Sequence, residues 1–169
     1  MPRDEQITSR IMASVRSKDT KAELALRKAI WARGLRFRKH CKDLPGTPDV
    51  VLPSSKIAIF IDGDFWHGNF KSRGFASLEQ QFEGVNNSEW WLDKIRKNID
   101  RDKRINKELK KLGYKVIRIW ESNLIKNLDK YVKKIETLHV ERKLNRGNGS
   151  KSVRKGARAV KGISFERKR

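Results

Sequence analysis

LPGTPDVV at residues 44–51 and IAIFIDGDFWH at residues 57–67 predict two neighbouring β-strands joined by a short turn. Acidic side chains stand near the ends of these strands: Asp49 precedes the first apolar run, and Asp62 ends the second. Carboxylates from neighbouring strands can meet around a divalent metal ion, which is an arrangement typical of nucleases. A Pro-Asp pair is also common in simple turns, so a purely structural role for Asp49 stays open at this point.

The charge of the chain indicates a polyanionic partner. The 169 residues include 41 Lys and Arg against 20 Asp and Glu, which gives a formal net charge of +21. An excess of this size concentrates nucleic acid around a protein. The sequence contains no lipidation motif and no basic helix with a broad apolar face, so we expect no membrane partner.

Size and composition predict one compact domain with a tail, because 37% of the residues are hydrophobic. We expect a cytoplasmic protein, since no apolar run is long enough to span a membrane and no signal peptide is recognisable. Cys41 is the single cysteine, which excludes an internal disulfide bond.

The element order predicts an α/β fold with a small mixed central sheet flanked by helices. Residues 1–18 form an N-terminal arm, residues 19–141 the main domain, and residues 142–169 a basic tail that we expect to be disordered, with eleven Lys and Arg against one acid. Thr20 and Glu23 have the spacing of a helix capping box. Further along, residues 35–38 alternate like a strand, a long amphipathic helix runs from the N-cap Ser88 to Gly113, and a strand at 114–120 and a helix at 123–139 follow.

Four motifs in a consistent order carry a family resemblance. They are LPGTPD at residues 44–49, DGDFWHG at 62–68, KIRKNIDRD at 94–102, and LGYKV at 112–116 before Trp120 and Glu121. Together they resemble the very short patch repair endonucleases over residues 8–125. The resemblance implies a type II restriction endonuclease-like, PD-(D/E)xK, fold. It also implies Mg²⁺-dependent nicking of double-stranded DNA at T/G mismatches left by deamination of 5-methylcytosine.

The resemblance also assigns roles in catalysis. Asp49 matches the essential metal-bridging aspartate, and Ile61 matches the residue whose main-chain carbonyl binds the metal. His67 matches a general acid or base, and its ordinary pKa range suits proton transfer. Asp102 and Glu23 match supporting acids, although both lie on predicted helices where ordinary ion pairs are common.

Four residues are implied as DNA contacts: Phe65, Trp66 and Trp91 would insert between base pairs beside the mismatch, and Met12 would do so from the other groove. Unstacking is cheapest at a mispair, so an inserted side chain turns weak pairing into selectivity. If the segment is extended, Phe65 and Trp66 point to opposite sides and one of them is exposed. Trp91 begins the apolar stripe of its helix, so a core position is the alternative.

The sequence departs from the family pattern in two places. Asp64, Asn69 and Ser122 stand at or near the positions of the family's structural zinc ligands, so we expect no structural zinc here and a loop held by packing or hydrogen bonds. Asp62 stands where the family has histidine, and we expect it to join the catalytic site as a direct or water-mediated Mg²⁺ ligand.

We therefore expect a monomeric Mg²⁺-dependent endonuclease that nicks one strand at T/G mismatches, with mismatch-repair or methyltransferase-linked proteins as candidate partners. Two alternatives stay open. One is a restriction or defence nickase of the same fold with another DNA substrate. The other is a non-catalytic architectural DNA-binding protein, against which the presence of Asp49, Asp62 and His67 argues.

Overall fold

A mixed sheet of four strands forms the centre of the molecule. The structure is a computed structural model that describes the backbone of residues 18–159 and the side chains of residues 18–146. Strands β1 (Arg38–Lys39), β2 (Val50–Leu52) and β3 (Ile57–Asp62) are antiparallel neighbours, and β4 (Lys115–Trp120) pairs with β3 in parallel. The predicted small mixed sheet is confirmed, although the first strand begins later than the alternating stretch at 35–38 indicated.

Five α-helices surround the sheet in the described part of the chain. They are α1 (Lys21–Ala32), α2 (Leu78–Gln81), α3 (Ser88–Lys111), α4 (Glu121–Lys126) and α5 (Leu128–Ala159). The helix predicted at 123–139 is thus two helices, because the chain turns at Asn127. No helix among the described residues is both long enough and apolar enough to cross a membrane.

Helix ends follow local chemistry at α1 and α3. The Thr20 hydroxyl accepts a hydrogen bond from the backbone N–H of Glu23, and the Glu23 carboxylate accepts one from Thr20, which confirms the predicted capping box. At α3 the cap is Asn87 rather than Ser88, since Asn87 adopts φ +58° and Ser88 is already helical. Gly113 ends that helix with φ +82°, a conformation that glycine adopts without strain.

Alternate residues of β3 and β4 serve two separate cores. Ile59 and Ile119 face α1, α4 and α5, whereas Ala58 and Phe60 face α3 and contact Leu109. Asp62 and Arg118 lie on the same face of the sheet as Ala58 and Phe60, because side chains alternate along a strand. The sheet therefore directs a carboxylate and a guanidinium toward α3, at the end of the apolar layer.

The last helix is attached to the turn between β2 and β3. Arg142 donates hydrogen bonds to the carbonyl oxygens of Ser55 and Gly113, and Arg146 donates to that of Ser54, at 2.7–2.9 Å. His139 is hydrogen-bonded through Nδ1 to the buried Ser55 hydroxyl. The predicted tail boundary at residue 142 therefore lies inside α5, and Arg142 and Arg146 bind carbonyl groups of the main domain.

Candidate active site

Asp49 lies at the start of β2 beside the end of β3. Its Oδ2 accepts a hydrogen bond of 2.8 Å from the backbone N–H of Ile61, so the structure brings these two predicted residues together. Burial, together with the negative charges of Glu23 and Asp62, raises the pKa of Asp49 to about 6, against the lowering effects of that hydrogen bond and of His40. The site thus holds a half-buried carboxylate whose charge is poorly compensated.

Three other titratable side chains meet at the end of β3, the strand next to β2. The Nδ1 atom of His67 lies 2.6 Å from Oδ2 of Asp102 and 3.7 Å from Oδ1 of Asp62. Asp62 ends β3, His67 follows in the next turn, and Asp102 projects from α3. A carboxylate at Nδ1 fixes the imidazole ring and directs Nε2 away from the Asp102 carboxylate.

Arg118 is a member of this site that the sequence interpretation missed. Its Nη1 donates to Asp62 Oδ1 at 2.7 Å, its Nη2 to Asp102 Oδ1 at 3.0 Å, and its Nε to Asn106 Oδ1 at 3.0 Å. A signal was present, since Arg118 is the one charged residue within the apolar run 116–120. A charge in that position needs buried partners.

The two acids of this group differ in their electrostatics. Burial raises the pKa of Asp62, and the nearby charges of Arg118 and His67 only partly oppose that effect. Burial also acts to raise the pKa of Asp102. The hydrogen bond from His67, the charge of His67 and the charge of Arg118 nevertheless hold that pKa below its usual range. Asp102 is therefore the better anionic partner for His67.

Glu23 belongs to a separate group on the α1 side of Asp49. Its carboxylate caps α1 and lies 3.7 Å from Nε2 of His40, which also contacts Asp19 and Arg27. Arg27 forms an ion pair with Asp19 and lies 3.9 Å from Glu23. The two predicted supporting acids, Glu23 and Asp102, thus do not lie together. His40 was missed because nothing in its surrounding sequence links it to Asp49.

The residues predicted to contact DNA form an aromatic cluster. Ring centroids of Phe65 lie 5.1 Å from Trp66 and 5.3 Å from Trp91, and Phe82 stacks on Trp91 at 6.2 Å. The expectation that Phe65 and Trp66 point to opposite sides is wrong, because the segment is a turn, with a hydrogen bond from the N–H of His67 to the carbonyl of Gly63. Both rings are half-buried in one cluster. Met12 lies outside the described residues.

Asp64 holds this turn in place. Its carboxylate accepts hydrogen bonds from the Asn69 amide at 2.5 Å, the Ser72 hydroxyl at 3.0 Å, and both the hydroxyl and backbone N–H of Ser122 at 2.7 and 3.1 Å. Burial acts to raise the pKa of Asp64, but these hydrogen bonds bring it below its ordinary value. Of the three residues at the predicted zinc-ligand positions, Asp64 is therefore hydrogen-bonded to both Asn69 and Ser122.

The donor set around Asp49 suits a hard divalent cation. Carboxylate and carbonyl oxygens are the ligands that such ions prefer, and Asp49 with Asp62 supplies carboxylates whose charge is poorly compensated. Beside Asp62 a cavity of about 260 Å³ is bordered by His67, Asp102, Lys103, Asn106, Arg118 and Trp120. A phosphate of DNA would meet both acids and bases at its opening.

Acids and a histidine at the strand ends of a mixed sheet, on a strongly basic chain, define a nuclease-type site. The model of the family "DNA mismatch endonuclease Vsr" matches residues 3–73. A type II nicking enzyme of Haemophilus parainfluenzae, V.HpaIIP, is 38% identical over 82% of this chain and 94% of the relative. The Neisseria meningitidis nicking enzyme V.NmeDIP is 42% identical over 69% and 74%. The DNA mismatch endonuclease Vsr of Escherichia coli is 34% identical over 72% and 73%.

The chain therefore belongs to the Vsr family of DNA mismatch endonucleases. It is a DNA endonuclease of the nicking type, as the similarity to nicking enzymes indicates, one of which is covered over 94% of its length. The architectural alternative without catalysis is set aside.

Proposed function

We propose that this protein is a Mg²⁺-dependent endonuclease that nicks one strand of DNA at T/G mismatches. One observation carries the proposal: a single turn, residues 63–67, bears both the histidine bound to Asp102 and the aromatic side chains Phe65 and Trp66. Proton transfer and base-pair unstacking would thus be supplied from the same few residues. We also propose that the mixed sheet is the core of a type II restriction endonuclease-like fold.

Asp49, the carbonyl of Ile61 and Asp62 would hold the metal. The hydrogen bond between Asp49 and the N–H of Ile61 fixes the carboxylate beside that peptide. When bound, Mg²⁺ activates a water molecule and stabilises the charge that develops on the phosphate. Oδ1 of Asp62 is bonded to Arg118, and the hydrogen bonds among the described residues leave its Oδ2 for a metal or a bound water.

His67 would transfer a proton through Nε2 to or from the reacting phosphodiester. The 2.6 Å contact with Asp102 places the Nδ1 proton on the carboxylate side and stabilises the imidazolium form when it arises. Glu23 would act at longer range, through its charge on Asp49. Selectivity would come from Phe65, Trp66 and Trp91, together with Met12.

A nicking assay tests the reaction and its substrate. End-labelled duplexes that differ only in T/G against C/G are incubated with Mg²⁺, with Ca²⁺ or with EDTA, and strands are separated under denaturing conditions. We expect one nick, on the T strand, with Mg²⁺ alone. Asp49→Asn should abolish it while DNA affinity stays within a few-fold, because affinity comes mainly from Lys and Arg. Equal cleavage of C/G duplex would refute mismatch selectivity, and an active Asp49→Asn would refute the site.

A second candidate function is nicking of another DNA substrate within a restriction or defence system. The curated relatives named as type II nicking enzymes favour it. A library of matched and mismatched duplexes in the same assay separates the two, since this candidate requires efficient nicking of some duplex without a T/G pair.

Trp66 provides the test of unstacking. Trp66→Ala should lose on the order of 1–3 kcal/mol of binding to T/G duplex, by analogy with stacked bases, and much less on matched duplex. A fluorescent base analogue beside the mismatch reports insertion directly. If that signal does not change on binding, and Trp66→Ala loses the same binding free energy on both duplexes, then Trp66 only supports the turn.

A further inference from the structure

Arg118 lies where the candidate active site concentrates negative charge. Asp62 and Asp102 approach His67 from β3 and α3, and the ligand atoms of these three side chains lie within 4.8 Å of one another. Such a group is a potential metal site. The guanidinium of Arg118, however, already contacts both carboxylates.

The surroundings of Arg118 make it a fixed charge. Each of its three nitrogens donates one hydrogen bond, to Asp62, Asp102 and Asn106, and its side chain is only 18% exposed. Its Cζ lies 4.4 Å from the ring centroid of Phe60. A guanidinium with three directed bonds and an aromatic face has one orientation available, unlike a surface arginine.

The two carboxylate oxygens of Asp102 have different partners. Oδ1 accepts a hydrogen bond from Arg118, and Oδ2 is hydrogen-bonded to Nδ1 of His67. The guanidinium, the carboxylate and the imidazole therefore form one chain of hydrogen bonds. The orientation of the ring then depends on the orientation of Arg118. Lys103, which also borders the cavity, pairs with Asp100 instead.

We propose that Arg118 is a positioning residue of the nicking reaction: its guanidinium fixes Asp102 against His67 and occupies the place between Asp62 and Asp102 that a cation would otherwise take. The bound divalent ion is thereby restricted to the Asp49 side of Asp62. The proposal rests on the proposed role of His67, but its effect on metal binding can be measured without catalysis.

The first experiment counts metal ions in the absence of DNA. Binding of Mn²⁺, followed by electron paramagnetic resonance, is compared for the wild type, Arg118→Met and the double variant Arg118→Met with Asp102→Asn, since Asp102 is not a proposed ligand of the catalytic metal. We expect one more ion per chain in Arg118→Met than in the wild type, and loss of that ion in the double variant. An unchanged count in a folded Arg118→Met would overturn the proposal.

The second experiment measures single-turnover nicking at saturating DNA. Loss of a residue that orients a catalytic group typically costs about 10- to 100-fold, so we expect a rate lowered by that factor in Arg118→Met with DNA affinity within about three-fold. Arg33→Met is the matched control, because it removes the exposed arginine–carboxylate pair with Glu136, far from the site in the fold, and should leave the rate unchanged.

Arg118→Lys keeps the test decisive if Arg118→Met does not fold. Lysine preserves the charge but not the planar fork, so this variant should keep the wild-type Mn²⁺ count and still nick several-fold more slowly. A wild-type rate in Arg118→Lys would refute positioning. Nicking by Asp49→Asn would instead contradict the proposed metal site and leave the Mn²⁺ result for Arg118 standing.

Discussion

At the residue scale, the half-buried carboxylate of Asp49 links stability to pH. Its pKa in the folded chain is about 6, above the ordinary value of 3.8. A raised carboxyl pKa means that the folded state binds a proton more tightly than the unfolded state. This contribution to stability is present in full below about pH 3.8 and is lost as the pH rises through 6.

Asp49→Asn should therefore unfold at a higher temperature than the wild type above pH 6, in buffer without divalent ions. The shift in pKa corresponds to a difference on the order of 1–3 kcal/mol, which should vanish near pH 4. Thermal melts across this range measure it. A variant that is less stable than the wild type at pH 7 would show that the Asp49 charge is compensated in the free protein.

Asp64 gives a second residue-scale prediction, concerning zinc. Because its hydrogen bonds with Asn69, Ser72 and Ser122 already tie the 63–67 turn to the start of α4, we propose that the chain needs no structural zinc. Elemental analysis should find less than stoichiometric zinc, and a zinc-specific chelator should leave the melting temperature unchanged. Asp64→Ala should lower that temperature and slow nicking, whereas Glu83→Ala, which removes an exposed acid in the loop between α2 and α3, should do neither. One tightly held zinc per chain would contradict this account.

At the element scale, the position of α3 depends on close approach to two glycines. A Cβ added at Gly68, where φ is +78°, would lie 2.8 Å from Cδ1 of Ile99, and one at Gly46 would lie 2.6 Å from Cγ2 of Ile105. Real Cβ atoms do not come that near, so the side chains of Ile99 and Ile105 would have to shift, which disturbs the packing of α3 against these loops. Because α3 also carries Asp102, we expect this disturbance to weaken the contact between Asp102 and His67.

Gly68→Ala should therefore lower both stability and nicking rate. Gly74→Ala is the matched control, because Gly74 has φ +84° but open space around its Cα. Both variants pay a strain of about 1 kcal/mol for a positive φ, and only Gly68→Ala adds the clash. Chemical unfolding measures the difference; equal destabilisation would mean that α3 tolerates the displacement.

At the scale of the whole molecule, the net charge of +21 dominates encounter with DNA. We propose that residues 1–18 act as an arm, that residues 19–141 carry catalysis and that the protein is a monomer. The C-terminal segment would supply sequence-independent attraction. Its first part also stabilises the main domain, through Arg142 and Arg146.

Deletion of the residues after Arg146 tests this division. It removes eight of the 41 basic residues but preserves the contacts of α5 with Ser54 and Ser55. The slope of log binding constant against log salt should become shallower, while preference for T/G duplex at saturation persists. Loss of that preference would show that the C-terminal segment reads the substrate.

The sequence by itself determined what depends on neighbours along the chain. The capping box at Thr20, the end of α3 at Gly113 and the continuous apolar run of β3 follow from local propensities and patterning. Similarity of motifs indicated the family. Asp49 and Asp62 were visible as acids near the ends of neighbouring strands, whereas the roles of His67 and Asp102 came from the family resemblance.

Tertiary structure alone decided the partners of those residues. Arg118 lies 56 positions from Asp62 and 16 from Asp102, and only the parallel pairing of β3 with β4 beneath α3 brings them together. The turn at 63–67 likewise placed Phe65 and Trp66 in one cluster, against the expectation for an extended segment. Local sequence carries no record of such contacts, since they are selected by the packing of distant elements and the need to pair every buried charge.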